Sequence, residues 1–201
     1  MPKTKEQFEQ VKRERKDAIL SASLFLFATK GYEATTTDDV TKLVGCSHGL
    51  LYHYFGSKED LFRALMEEKV CLIISEIIKD VNFDDDPSIA LMTFLDAMIG
   101  AIKSPDNEKA CALYLVLNLK MQSKSIPKPK HKIDKKPLFE YLFELIERGK
   151  TCGEFNDFDT REMFVSLLSF FKGLSYSRIY LGHKKITCPS SKIVSRMIIK
   201  N

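Results

Sequence analysis

Cysteine is scarce in this sequence and never clustered. The 201 residues contain five cysteines, placed singly at 46, 71, 111, 152 and 188, with no Cys-x-x-Cys pair. Neither a disulfide framework nor a zinc site fits an odd, scattered set, and the four histidines do not stand at metal-ligand spacing. We therefore expect no metal and no cofactor. Most of the cysteines are interpreted as small core residues, with a redox-sensing thiol as the alternative.

The sequence also has no continuous apolar run of the roughly 18 residues that a membrane helix needs. Its N-terminus is charged and polar, unlike that of a signal peptide. These two absences predict a cytoplasmic protein that does not bind a membrane. The net charge of +4 is mild, so it permits nucleic-acid binding without indicating it.

Catalytic motifs are missing as well. The chain has no Gly-rich phosphate loop, no His-Glu-x-x-His and no recognisable Ser or Cys nucleophile signature. We therefore expect no catalytic residues and no enzyme. Strand signals and internal repeats are also lacking, whereas apolar residues recur at helical spacing. With a hydrophobic content of 44% the chain has ample core, and we expect an all-α fold of about nine helices.

Residues 36 to 58 carry the strongest local pattern. Thr36 with Asp39 three positions on is a capping-box-like start of a short helix, and Gly45 suits the left-handed position at its end. Ser47 is an N-cap for a second helix, and Ser57 for a third. A preceding helical pattern at 17–30 completes a three-helix, helix-turn-helix outline. Ordinary helix bundles share this outline, so the pattern alone leaves DNA binding and simple helix packing equally open.

The exact residues resemble a known family. The stretches 31–36 (GYEATT), 44–55 (VGCSHGLLYHYF) and 57–61 (SKEDL) closely resemble the N-terminal signature of the TetR family of transcriptional regulators, in a match that runs from Ile19 to about Leu65. Beyond that the resemblance is only of length and helix rhythm. It implies a helix-turn-helix DNA-binding domain at 1–58 and a helical ligand-binding and dimerisation domain at 59–201.

Within the motif, the N-terminal end of the second helix is expected to enter the major groove of double-stranded DNA. His48 would donate to a guanine, and Leu50, a departure from the family's usual small residue, would suit a thymine methyl. Tyr54 has core packing as its alternative role, and Lys58 a solvated charge. The expected DNA-binding residues are Thr36, Thr37, Ser47, His48, Gly49, Leu50, Tyr52, His53, Tyr54 and Lys58.

Two further basic segments are candidates for phosphate contacts. Lys12, Arg13, Arg15 and Lys16 lie in the charged N-terminal stretch and would be either phosphate ligands or a solvated helix face. The lysine-rich stretch at 123–137 is interpreted as a solvated loop between helices, with a second nucleic-acid contact as the alternative.

The remainder of the chain predicts six helices, at 57–79, 88–103, 108–122, 138–148, 160–181 and 190–200. Core packing is the default role for their large side chains. The family resemblance implies a pocket among the middle helices for a small apolar or aromatic effector, and Arg and Lys are too sparse there to favour a strongly anionic one. The candidate ligand-binding residues are Met92, Leu95, Tyr114, Asn118, Met121, Phe139, Phe143, Phe164 and Leu168.

One recognition helix reads few base pairs, so a two-fold homodimer on a palindromic operator is expected, formed through the last two helices. The functional hypothesis is thus a ligand-responsive DNA-binding regulator, most often a repressor in this family. The alternative is an all-α binding or scaffold protein that keeps the helix-turn-helix shape without using DNA. The sequence does not specify the operator, the effector or the regulated genes.

Overall fold

The computed structural model describes residues 5–121, 138–182 and 184–200, and in these ranges the chain is helical. The helices are α1 (Lys5–Thr29), α2 (Thr37–Val44), α3 (His48–Tyr54), α4 (Lys58–Ala64), α5 (Cys71–Ile77), α6 (Pro87–Lys103), α7 (Glu108–Met121), α8 (Leu138–Thr151), α9 (Thr160–Leu181) and α10 (Ser191–Ser195). A π-helical segment, Leu65–Val70, joins α4 to α5 without a break. Counted with α4 and α5 as one helix, the described residues contain nine.

The all-α prediction is therefore confirmed. Within the described ranges, β-pairing is limited to one isolated bridge, between Phe155 and Ile199. None of the helices in these ranges combines the length and the hydrophobicity needed to span a bilayer. The lysine-rich stretch at 123–137, which includes His131, lies outside the described residues.

Three predicted helix boundaries are wrong. Ser88 does not cap α6, because the carboxylate of Asp86 accepts the first free N–H groups and Pro87 occupies the opening position. α8 continues past its predicted end at residue 148 to Thr151. α10 is only five residues long, since the backbone after it turns to pair with the chain after α8, where the Asn156 N–H donates to the Ile198 carbonyl at 2.8 Å.

The described residues divide into two compact units. The first is built on residues 5–72, and the second on 73–118, 138–182 and 184–200. The domain boundary expected from the sequence, between residues 58 and 59, remains a prediction about independently folding domains.

The first unit packs α1, α2, α3 and α4 around a small core. Ile19, Leu51 and Leu61 are completely buried in it. The ring of Tyr32 lies 5.5 Å from that of Phe27 and 4.9 Å from that of Phe62, so it packs against both rings. Such an aromatic trio adds edge-to-face attraction to the area that it buries.

Leu43 does not join the inward side of α2, although its spacing from Val40 suggested that it would. The buried residues of α2 are Val40 and its neighbour Thr41, which rotates the inward side away from Leu43 and leaves that side chain 54% exposed. The Thr41 hydroxyl donates to the Asp38 carbonyl at 3.1 Å, so burial of this polar side chain is compensated.

The second unit is organised around α6, which packs against α8, α9 and α10. Leu91, Leu95 and Ile102 of α6 are fully buried, and they belong to a core cluster that also takes in Leu167 of α9 and Ile198 after α10. One side of the last helix is therefore buried in the core of its own chain. Only its outer side remains available to a partner.

Candidate nucleic-acid interface

The start of α2 is fixed by local hydrogen bonds. The Thr36 hydroxyl accepts the Asp39 N–H at 3.2 Å, and the Asp39 carboxylate accepts the Thr36 N–H at 2.8 Å, which together form the predicted capping box. Lys30 at the end of α1 donates to the same carboxylate at 2.6 Å. Hydrogen bonds from Lys30 first, and from Thr36 second, hold the pKa of the Asp39 carboxyl well below its usual range.

The turn into α3 also follows the sequence pattern. Gly45 ends α2 with φ of 72°, a left-handed conformation that costs glycine little. Ser47 then caps α3, where its hydroxyl accepts the Leu50 N–H at 3.2 Å. The two helices are thus joined by a turn whose shape is set by residues on either side of Cys46.

α3 has one buried and one exposed side. Leu51 and the following Phe55 are buried in the core of the first unit, whereas His48, Tyr52 and His53 are exposed. The division agrees with the spacing of Leu51 and Phe55, which lie four positions apart and so share one side of a helix. The exposed side chains carry an imidazole, a phenol and a second imidazole, which are groups that hydrogen-bond to base edges and phosphates.

His48 contacts α2 on this exposed side. Its Nε2 lies 3.4 Å from a carboxylate oxygen of Asp38 and 3.4 Å from the hydroxyl of Thr41. Sequence analysis did not single out Asp38, although its position two residues after the Thr36 cap places it in the first turn of α2. Asp38 therefore places a carboxylate beside the imidazole of a residue that is expected to contact DNA.

Thr37 and Tyr52 are brought together. The Thr37 hydroxyl at the first position of α2 lies 3.4 Å from the Tyr52 hydroxyl of α3. Thr36, by contrast, spends its hydroxyl on the capping box, where it also donates to the Asp39 carboxylate at 2.9 Å. Of the two threonines, Thr37 is therefore the one whose side chain is better placed for an external ligand.

Lys58 is neither a freely solvated charge nor a fully available phosphate ligand. Its Nζ donates to the Glu33 carbonyl at 3.2 Å and lies 4.4 Å from the centre of the Tyr32 ring. Such a cation–π contact is typically worth about 0.5–1 kcal/mol at an exposed site. A phosphate would therefore have to draw the ammonium group from these two partners.

Tyr54 and Leu50 face the N-terminal half of α1. The Tyr54 hydroxyl donates to the Lys12 carbonyl at 3.3 Å. Leu50 and Tyr54 line a groove of about 190 Å³ together with His53 and residues of α1, namely Phe8, Val11, Lys12 and Arg15. Sequence analysis did not predict this groove, and the apolar residues Phe8 and Val11 upstream of the core were the only local signal for it.

The candidate ligand-binding residues fall in different surroundings of the second unit. Leu95 and Leu168 belong to its core cluster. Phe139 and Phe143 both lie edge-on to Phe164, at ring distances of 6.3 and 5.9 Å.

On α7, Tyr114 packs against Tyr176 of α9, with the ring centres 5.9 Å apart. Met92 and Asn118 are half-buried, and the side chain of Met121 lies outside the described residues. Because the phenylalanine trio and the tyrosine pair involve different residues, a shared pocket for the whole set stays a prediction.

The described residues contain no group of three or more His, Cys, Asp or Glu side chains placed to hold a metal ion. Burial raises the pKa of the Cys111 thiol to about 12, with Glu108 as a smaller cause. That thiol is therefore held in its protonated, unreactive form at neutral pH. Cys111 matches the interpretation as a small core residue.

A short helix capped on Thr36, a glycine turn and a second helix with an exposed polar side define a protein of the helix-turn-helix class. The comparisons agree, since residues 19–65 match the family described as bacterial regulatory proteins, tetR family. The matching residues are those of the N-terminal unit, and it is this unit that is similar to the TetR family of regulators.

Curated relatives match over part of the chain. The negative transcriptional regulator IcaR of the biofilm operon icaADBC in Staphylococcus epidermidis is 33% identical over 104 residues, which cover 51% of this chain and 53% of that protein. The transcriptional regulator QacR of Staphylococcus aureus is 45% identical over 51 residues, covering 25% of this chain and 27% of that protein. The matches thus span about half or less of the relatives' length.

Solved structures extend the likeness of fold to nearly the whole chain. A mutant of HlyIIR superposes with a TM-score of 0.65 at 19% identity, covering 98% of this chain and 96% of that one. The ketosteroid transcriptional regulator KstR2 of Mycobacterium tuberculosis gives a TM-score of 0.62 at 19% identity, covering 93% and 96%. At this identity the likeness establishes the fold of both units and nothing more.

Proposed function

We propose that this protein is a sequence-specific DNA-binding transcriptional regulator of the cytoplasm. The observation that carries the proposal is the division of α3, which buries Leu51 while it exposes His48, Tyr52 and His53 beside the capped start of α2. DNA is the partner that suits a helix with an exposed polar side packed on α2, because the N-terminal end of such a helix fits the major groove.

The proposed DNA contacts are divided by role. His48, Ser47 and Gly49 at the start of α3 meet base edges, whereas Thr37, Tyr52 and His53 meet phosphates. Thr36 contributes to DNA binding indirectly, by capping the start of α2. Lys58 contributes by holding the loop at Glu33. Leu50 is the weakest candidate for a base contact, because it lines the groove toward α1.

Repression by a homodimer is the form of regulation that we favour. IcaR, the relative with the longest match quoted above, is named a negative regulator. The outer sides of α9 and of α10 with the residues that follow it expose large apolar residues that a partner chain would cover, namely Val165, Tyr176, Tyr180, Leu181, Ile193 and Met197. A two-fold pair of recognition helices would then read a palindromic operator.

The effector is proposed to bind in the second unit. Phe143, which is 37% exposed and packs against Phe164, is the most accessible of the candidate ligand-binding side chains that the structure describes. Aromatic surroundings favour a small apolar or aromatic molecule with one or two hydrogen-bonding groups. Such a molecule lowers operator affinity only if it binds two conformations of the dimer unequally.

The test of DNA binding is a gel shift with the DNA that flanks the chain's own gene. A regulator shifts that DNA at nanomolar to sub-micromolar concentration and resists competition by unrelated duplex. A scaffold protein with an unused helix-turn-helix shape gives no shift, or one that any duplex abolishes equally. A thermal-shift screen of apolar compounds, followed by titration of the shifted DNA, tests the effector.

A further inference from the structure

The N-terminal half of α1 extends well beyond the core of the first unit. α1 begins at Lys5, but its buried residues begin only at Ile19. Lys5, Phe8, Lys12 and Arg15 follow one another at spacings of three and four, so they share one side of the helix. The same spacing continues to Ile19. The side of α1 that is apolar and buried from Ile19 onward is therefore mainly basic in the turns that precede it.

This basic side lies beside the candidate recognition helix. Lys12 and Arg15 line the groove that α1 forms with Leu50, His53 and Tyr54 of α3. The hydrogen bond from the Tyr54 hydroxyl to the Lys12 carbonyl joins the two helices directly. Two cationic side chains are thereby held next to the helix that is proposed to enter the major groove.

The ion pairs of the first unit distinguish Lys16 from the other basic residues of this stretch. Lys16 is engaged by the carboxylate of Glu68. Lys12, Arg13 and Arg15 have no carboxylate partner within the described ranges, and only Lys12 and Arg15 line the groove. Arg13 is rotated by about 100° from Lys12 around the helix and lies on a different side.

We propose that Lys12 and Arg15 bind phosphates of the DNA strand that passes α3, and that Tyr54 is a positioning residue that holds them there. The inference rests on the proposed DNA-binding function and adds two phosphate ligands to it. Lysine and arginine suit phosphate oxygens, and neutralising each phosphate releases counterions. Tyr54 acts through Lys12 and Arg15, in place of the direct phosphate contact expected from the sequence.

The first test measures the salt dependence of binding to a labelled random-sequence duplex. The variants are Lys12→Gln, Arg15→Gln and the double variant, with Arg13→Gln as the control that removes the same charge from the same turns of helix. Each of the two phosphate ligands should flatten the slope of log affinity against log salt by about 0.9. The ratio of wild-type affinity to double-variant affinity should fall about twelvefold when the salt concentration rises from roughly 50 to 200 mM.

The second test is a double-mutant cycle with Tyr54→Phe, which removes only the hydroxyl. If Tyr54 positions the cations, the substitution weakens binding in the wild-type chain but has no further effect in the Lys12→Gln, Arg15→Gln background. If Tyr54 binds phosphate itself, the loss is the same in both backgrounds. Circular dichroism of every variant verifies that α1 stays helical.

The outcomes are distinguishable. Equal salt slopes for wild type, Arg13→Gln and the double variant overturn the phosphate assignment but leave the proposed function standing, since the wild-type protein still binds DNA. If Tyr54→Phe lowers the affinity equally in the wild-type chain and in the double variant, only the positioning role of Tyr54 is overturned. A wild-type protein that binds neither this duplex nor the DNA flanking its gene refutes the proposed function and this inference together.

Discussion

Arg178 is a cation buried to 1% exposure, and none of the carboxylates in the described ranges forms an ion pair with it. Its Nε donates to the Ile102 carbonyl at 3.0 Å, one Nη to the Asn107 amide oxygen at 2.7 Å and the other to the Ser104 carbonyl at 2.6 Å. The guanidinium group therefore closes the turn between α6 and α7 and lies where the C-terminal carbonyls of α6 favour a positive charge. It is engaged by the protein itself and is a poor ligand for an anionic effector.

We expect Arg178→Met to destabilise the second unit by about 3 kcal/mol, because several buried acceptors lose their donors at once. Arg161→Met on the same helix removes an exposed guanidinium and should change stability by less than about 0.5 kcal/mol. Urea unfolding followed by circular dichroism compares the two variants. Equal midpoints would show that the turn is held by other contacts.

At the base-reading end of α3, His48→Ala should cost about 1–3 kcal/mol on the specific site and relax the base preference. The physical reason is the loss of an imidazole from the exposed start of α3, where it lies 3.4 Å from a carboxylate oxygen of Asp38. His53→Ala is the comparison on the same helix and should weaken binding to all sequences alike. Selection from a random duplex library with each variant reports the preference, and an unchanged preference for His48→Ala would contradict the proposed docking.

Among the elements, α2 depends most on charge. In its first turn, the Asp39 carboxylate accepts the Thr36 N–H and forms an ion pair with Lys30, the residue that follows α1. The pKa of Asp39 is lowered in the folded protein, so the ionised carboxyl stabilises the fold above the unfolded value near 3.9. That stabilisation is lost as the pH falls through the lower pKa of the folded state.

We therefore expect the thermal midpoint of the wild-type protein to fall more steeply below about pH 4 than that of Asp39→Asn, which has no carboxyl to titrate at this position. Asp38→Asn removes a carboxyl one residue away without touching the capping box. Melting curves between about pH 2 and 6 measure the difference. Parallel curves for wild type and Asp39→Asn would mean that the capping box contributes nothing that depends on its charge.

The elements also show what sequence can and cannot predict. The caps at Thr36, Ser47 and Ser57 and the glycine turn at Gly45 depend on neighbours within four residues, and all four are confirmed. The short α10 and the rotation of α2 that exposes Leu43 depend on packing against other helices, so spacing alone misplaced them.

The candidate sites divide in the same way. The exposed side of α3 follows from its own periodicity. The contacts of Tyr54 with Lys12 and of Arg178 with Ser104 join residues about 40 and 70 positions apart, and no local pattern indicates them. Chain topology brings such residues together, which is why the groove beside α1 could be found only in three dimensions.

At the scale of the whole molecule, assembly is the proposal most open to a direct measurement. Tyr176 is 47% exposed on the outer side of α9, with its ring 4.3 Å from that of Tyr180. Light scattering should give twice the chain mass of 23.0 kDa for the wild-type protein. Tyr176→Glu should shift it toward the single chain, because a carboxylate buried in an apolar interface is left unpaired.

Leu72→Glu is the matched control for assembly, since it places the same charge on an exposed apolar residue of α5. It should leave the measured mass unchanged. A wild-type protein that scatters as a single chain at micromolar concentration would refute dimerisation through α9 and α10.

The ion pairs of the first unit have a consequence for how the protein would find its site on a chromosome. Lys16 with Glu68, Lys69 with Asp17 and Lys30 with Asp39 hold three of the unit's cations in ion pairs. Attraction to arbitrary DNA grows with the number of phosphates that a protein neutralises, and so does the time spent on each wrong site. Because these three lysines are held in ion pairs, they add little to that attraction, so visits to wrong sites are shorter and the final residence time depends more on the fit at the operator.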